Sequence, residues 1–180
     1  GEFSLMTWNV ENLFDFKDPP PDSPPIPGLQ QYKTDLSKVA NTILMAGLPT
    51  IVGLQEVENI GILEDLAEHE LLVQAAYSAQ LIEGTDSRGI DVGYLVRMDQ
   101  VNMITTEQYD APEGITSRPP LFIEVEIGSG EEAGTVYVFN NHFTSMSGGV
   151  EATRPRRVAQ AAWNASLAAV RLLGAAKIFV

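Results

Sequence analysis

Hydrophobic and polar positions follow two periods along this chain. Phe3 to Val10 alternates as a strand does, and Tyr32 to Ala46 repeats as a helix with Leu36, Val39, Ile43 and Leu44 on one face. Gly47 and Pro49 stop that helix. Ile51-Val52-Gly53-Leu54 is a continuous apolar run after a turn signal, the pattern of a strand buried on both faces. Ile60, Leu63, Leu66 and Ala67 predict a short helix with an acidic face. Further strands are expected at Tyr77 to Ile82, Ile90 to Val96, Val101 to Tyr109, Leu121 to Ile127 and Thr135 to Phe143. From Arg154 to Leu173 the spacing predicts a helix whose core-facing side carries Val158, Ala162, Ala165, Ala169 and Leu172, opposite Arg157, Gln160, Asn164 and Arg171, with Pro155 in its first turn. Ala176 to Val180 reads as one more buried strand. Alternating strands and helices give an α/β protein.

Punctuation and composition refine this picture. Six prolines between Pro19 and Pro27 exclude helix and central strand and mark an exposed loop. Gly128-Ser129-Gly130-Glu131-Glu132-Ala133 imitates a dinucleotide fingerprint, but a strand follows it, so it reads as a hairpin loop. The 180 residues suit one domain, and the formal charge of −13 argues against a broad basic face for phosphates. That charge is uneven: residues 56 to 70 hold six acids and no base, residues 152 to 180 five bases and no acid. Without cysteine there is no disulfide framework or thiolate metal site. No apolar run reaches the ~18 to 20 residues that span a bilayer. The first residues show no basic-then-apolar signal peptide.

Candidate chemistry gathers at strand ends. Alternation puts Asn9 on the face of Phe3, Leu5 and Thr7, taken here as core-facing, where its amide needs a partner, a turn or a site. Glu56 follows the buried run directly and is either a solvated acid or a hard oxygen ligand of the kind Mg2+ takes singly or in pairs. Asp91 interrupts an apolar strand and, if buried, needs a cation or several donors, with His142 the natural candidate. Arg118, before two prolines, is placed either for a phosphate or for a structural ion pair. Asn140 and His142 share a face with Val136 and Val138, and a lone His there is either a core residue or part of a site.

The order of these pieces carries more than each alone. The strand with Asn9, the strand with Glu56, Arg88-Gly89-Ile90-Asp91, Ser117-Arg118, then Asn141-His142-Phe143-Thr144-Ser145 with Gly148-Gly149 resembles the endonuclease/exonuclease/phosphatase superfamily, nearest its bacterial secreted nuclease-like members. The resemblance implies a deoxyribonuclease-like four-layer α/β/β/α sandwich, of which residues 1–180 would form a single, C-terminally incomplete domain. It implies Mg2+, with Mn2+ or Ca2+ as substitutes, on Glu56 and Asn9. Arg118, His142 and Asn141 would hold phosphate oxygens, with Asp91 orienting His142. The implied activity is phosphodiester hydrolysis, most simply of nucleic acid. A phosphomonoesterase, a sphingomyelinase-like phospholipid hydrolase and a catalytically incomplete binding or scaffold domain are the alternatives. Met146 stands where such members often carry Lys, and their Gly-Asp-x-Asn and Asp-His motifs have no counterpart among the 180 residues, so a complementing C-terminal half is an expected partner. Secreted and cytoplasmic locations both fit the resemblance.

Overall fold

The computed structural model describes residues 3–17, 26–130, 133–172 and 177–179. Strand β1 (Leu5–Leu13), helix α1 (Leu29–Met45) and strand β2 (Ile51–Val57) form a parallel crossover unit. Helix α2 (Ile60–Ala67), β3 (Tyr77–Leu81) and β4 (Asp91–Arg97) follow, and the first sheet has the order β1-β2-β4-β3. Strands β5 (Val101–Gln108), β6 (Leu121–Ile127) and β7 (Gly134–Asn140) make an antiparallel meander. Helix α3 (Val150–Leu172) leads to β8 (Lys177–Phe179), which pairs parallel with β7. The Gly128 segment is the β6–β7 hairpin connection, since Ile127 pairs with Gly134. Most of the expected proline-rich loop lies outside the described residues.

Side-chain alternation sorts these elements into layers. Val52 and Leu54 point outward beneath Leu36, Val39 and Ile43 of α1 and Ile62, Leu63 and Leu66 of α2. Ile51, Val92, Tyr94 and Val96 point inward, against Leu121, Ile123, Val125, Val136 and Val138 of the second sheet. The outer face of that sheet presents Phe122 and Phe139 to Ala168 and Leu167 of α3. The result is a helix, sheet, sheet, helix sandwich: the α/β class follows from the sequence pattern, and the two-sheet arrangement is the one the resemblance implies.

Two faces are the reverse of the sequence expectation. On β1, Met6, Trp8 and Val10 pack into the outer core, while Leu5, Thr7 and Asn9 are exposed, Leu5 and Thr7 bordering a groove of about 390 Å3 between the sheets. On α3, Gln160 and Asn164 are buried, at 2% and 4% exposure, while Val158 and Val170 stand 58% and 68% exposed. The expected apolar stripe consists mostly of alanines, which gain little from burial. The polar stripe wins because the adjoining loops offer carbonyls and N–H groups that Gln160 satisfies. Smaller differences concern ends: Leu44 is 38% exposed, β7 stops at Asn140, and α3 begins at Val150, which leaves Pro155 inside the helix.

Candidate active site

The site is built where β2 and β7 end side by side. A bulge interrupts the β2–β4 ladder between Gln55 and Val57, and the residue it extrudes is Glu56, with φ of 66°. A glutamate in the left-handed region is disfavoured by roughly 1–3 kcal/mol and persists only where its surroundings dictate it. The turn lifts its carboxylate out of the apolar strand into the space beyond β7.

His142 stands there, two residues past Asn140. Its Nε2 lies 3.3 Å from Glu56 Oε1, and its Nδ1 lies 3.3 Å from Nη1 of Arg118. Burial, followed by the Arg118 charge, pushes the imidazole pKa down to about 4, against an opposing pull from Glu56. The ring is therefore neutral at pH 7. The network assigns the tautomer: Nδ1 accepts from Arg118, which leaves the ring proton on Nε2, the nitrogen that faces Glu56.

Arg118 is set by its own turn. Its N–H donates to Thr116 Oγ1 at 3.0 Å, Thr116 Oγ1 donates to its carbonyl at 3.1 Å, and Pro119 and Pro120 follow. The guanidinium, 11% exposed, has Nε 3.5 Å from Asp86 Oδ2, a separation without hydrogen-bond geometry, so Nε is a buried donor with no acceptor. Burial works against its charge, which Asp86 supports. Asp86 also accepts from Ser117 Oγ at 2.9 Å and from the Arg88 N–H at 3.0 Å. Sequence reading missed Asp86. Its only signal was the turn pattern Asp86-Ser87-Arg88-Gly89, closed by Gly89 N–H donating to Asp86 O.

Three expected placements differ. Asp91 is buried but is not bonded to His142; Oδ1 accepts from the Gly84 N–H at 2.9 Å, and the carboxyl hydrogen-bonds Glu83. Burial and the Glu83 charge raise its pKa to about 7, so a second acid rather than a cation is its neighbour. Asn9 is not core-facing: its Oδ1 accepts from the Glu11 N–H at 2.9 Å, on a strand position in register with Gln55. Asn140 does not share the face of His142. It is buried between the sheets, donating to Leu54 O and Gly93 O at 2.9 and 2.8 Å and accepting from Gln55 Nε2 at 2.6 Å. Gly53 makes room for it, since a Cβ there would lie 3.4 Å from its Nδ2. Asn141 donates to Phe139 O at 3.3 Å, and its buried Oδ1 has no hydrogen-bond partner.

Glu56, His142, Arg118 and Asp86 thus form a line of alternating charge and dipole, closed from below by α3. Gln160 joins its two loops: Nε2 donates to Ile115 O at 3.0 Å and to Thr144 Oγ1 at 3.1 Å, and Oε1 accepts from the Thr144 N–H at 2.9 Å. Among the described residues no group of three His, Cys, Asp or Glu is gathered as a closed metal site. A lone strained carboxylate with an exposed amide on the adjoining strand instead fits a hard cation that keeps several waters.

A family model described as "Endonuclease/Exonuclease/phosphatase family" matches residues 4–176. No curated protein sequence matches the chain. Solved structures similar to it include TDP2 from Caenorhabditis elegans, at TM-score 0.63 and 20% identity, covering 96% of this chain and 43% of that one. D. rerio TDP2 complexed with a single-strand DNA product matches at TM-score 0.51 and 18% identity, over 88% of this chain and 53% of that one. The human Nocturnin catalytic domain with bound sulfate matches at 0.54 and 13%, over 92% and 60%. The chain spans less than two thirds of each.

Proposed function

The chain belongs to the endonuclease/exonuclease/phosphatase family, and from that premise we propose that it serves divalent-metal-dependent hydrolysis of a phosphodiester in nucleic acid. The observation that carries this reading is the Glu56–His142–Arg118 line, which sets a cation ligand and two anion donors side by side, each 3.3 Å from the next. Glu56, with the Asn9 amide alongside, would hold Mg2+, which when bound supplies charge stabilisation at a phosphoryl oxygen.

The protein's own groups do the rest. Arg118 has a buried Nε without an acceptor and donates to His142 through a single Nη, so its remaining N–H groups suit phosphate oxygens. His142 is neutral with its proton on Nε2, facing Glu56, so a phosphate oxygen arriving at Glu56 would meet that N–H. Asn141 lies next to it. Asp86 holds the guanidinium's position and keeps it charged. Asp91 shapes the Gly84 turn rather than orienting His142. Activation of the attacking water is assigned to none of the described residues. A nucleic-acid substrate accords with the DNA product bound by D. rerio TDP2.

The test is turnover of the whole gene product on a single-stranded oligodeoxynucleotide, on bis(4-nitrophenyl) phosphate and on 4-nitrophenyl phosphate, with Mg2+ and with chelator. Glu56→Gln and Arg118→Ala should each lower Mg2+-dependent diester hydrolysis by ~10²- to 10³-fold, the scale of losing one transition-state stabiliser. Undiminished turnover in both would overturn the assignment, and preference for the monoester would make the protein a phosphatase.

A further inference from the structure

The basic end of the sequence has four arginines among the described residues, and three of them are already engaged. Arg171 donates to Glu107 and Tyr109. Arg157 folds back onto the first turn of α3, reaching Thr153 Oγ1 and Val150 O. Arg154 pairs with Glu151 at 3.4 Å. Arg156 is different: its Nε donates to Ile115 O at 3.0 Å, and no carboxylate partners it among the described residues. Ile115 lies three residues before Arg118, so this bond fixes an exposed guanidinium to the site's own loop. Both Nη groups stay available, a planar fork suited to two oxygens of one anion.

The surroundings point the same way. Arg156 and Arg88 each repel the charge of Arg118, so the guanidinium at the centre of the site has two cationic neighbours. Asp86 is shared between Arg88, at 3.6 Å, and Arg118, at 3.5 Å, leaving Arg156 without compensation. In a chain of net charge −13, a local surplus of fixed positive charge beside a phosphate-sized site is a recognition feature, because adjacent cations cost free energy unless an anion sits between them.

We propose that Arg156 binds a second phosphate of the substrate, next to the one held by Arg118 and His142, with Arg88 adding positive charge beside it, so that the site selects a polynucleotide over a small phosphoester. This rests on the function proposed above.

The experiment uses the whole gene product and its Arg156→Ala and Arg156→Lys variants. Fluorescence anisotropy with a labelled single-stranded decadeoxynucleotide, in chelator and across a salt series, reads binding without turnover. Arg156→Ala should weaken binding about tenfold at low salt, the scale of a hydrogen bond to a charged group, and should flatten the log K against log salt slope by ~0.7. Arg156→Lys should keep the slope and lose part of the affinity, since it retains the charge without the fork. Turnover of bis(4-nitrophenyl) phosphate should be unchanged in both variants. An unaltered slope in Arg156→Ala, or an equal loss on the small diester, overturns the proposal. Glu56→Gln separates the two readings: if it leaves hydrolysis intact the catalytic reading fails, while the salt slope still decides Arg156.

Discussion

Replacing Asp91 with Asn should convert a pH-sensitive fold into an insensitive one. Asp91 is 4% exposed, accepts from the Gly84 N–H and shares a hydrogen bond with Glu83, and its pKa is raised from an ordinary 3.8 to about 7, first by burial and then by the Glu83 charge. The folded state therefore holds this proton over a range in which the unfolded chain has lost it. Stability must then fall as pH rises from about 4 to about 7, at ~1.4 kcal/mol per unit, and level off above the folded pKa. Between pH 5 and pH 8.5 about two of those units are crossed, so wild type should lose about 3 kcal/mol through this group. Asn keeps an oxygen for Gly84 and offers Glu83 an N–H, but carries no charge to bury. Urea unfolding of both proteins at pH 5, 6, 7 and 8.5 measures the difference directly. Asp91→Asn should lie near wild type at pH 5 and gain about 3 kcal/mol on it by pH 8.5. Parallel stability curves for the two proteins would show that Asp91 is ionised in the fold and refute the reasoning.

Two further substitutions probe how the site is held. Gln160→Leu removes three part-buried hydrogen bonds that tie α3 to the loops of Arg118 and His142; it should cost about 2–4 kcal/mol in urea unfolding and reduce kcat for the diester by ~10- to 100-fold, since small displacements of positioned groups are expensive. A stability loss with kcat untouched would make Gln160 purely structural. Asn140→Asp sets carboxylate oxygens against Leu54 O and Gly93 O, where the amide donated. It should destabilise by at least about 3 kcal/mol at pH 7 and by less at pH 5, where a protonated carboxyl restores one donor, as thermal or urea midpoints at the two pH values would show.

What the sequence revealed, and what it hid, follows from the range of the forces involved. Among the described residues periodicity located the strands of both sheets and the three α-helices, because burial of Val52, Leu54, Leu63 or Val138 follows from the local pattern. It misjudged the faces of β1 and α3, where the deciding partners are distant in sequence: Gln160 is buried by Ile115, 45 positions away. Glu56, Arg118 and His142 were legible as strand-end chemistry, and the structure brings them together. Asp86 was hidden in an ordinary turn, and the Glu83–Asp91 pairing contradicts the rule that a buried acid seeks a cation, since a shared proton serves as well. Asn140 does share the inward face of Val136 and Val138, but β7 ends there and the chain turns, so His142 leaves the face the alternation gave it.

The acidity of the chain loses its force as an objection to an anionic substrate once the layers are taken into account. Of the six acids between residues 56 and 70, Glu56 belongs to the site, Glu58 accepts from the Asp15 N–H and Asp65 from the Tyr32 hydroxyl, and Glu64, Glu68 and Glu70 are exposed on or just after α2. Helix α2 covers the outer face of one sheet, whereas Arg156 belongs to α3 on the outer face of the other. Packed sheets are ~10 Å apart and each helix layer adds a comparable distance, while charges in physiological salt are screened beyond ~8 Å. The exposed acids of α2 therefore lie more than a screening length from Arg156, with two sheets of low-dielectric core between. A phosphate approaching the ends of β2 and β7 responds to the nearby groups, where Arg88, Arg118 and Arg156 outnumber Asp86 and Glu56 before any metal is counted. Separation of charge along the sequence has become separation across the sandwich, and the fold thereby lets an acidic chain present a cationic site.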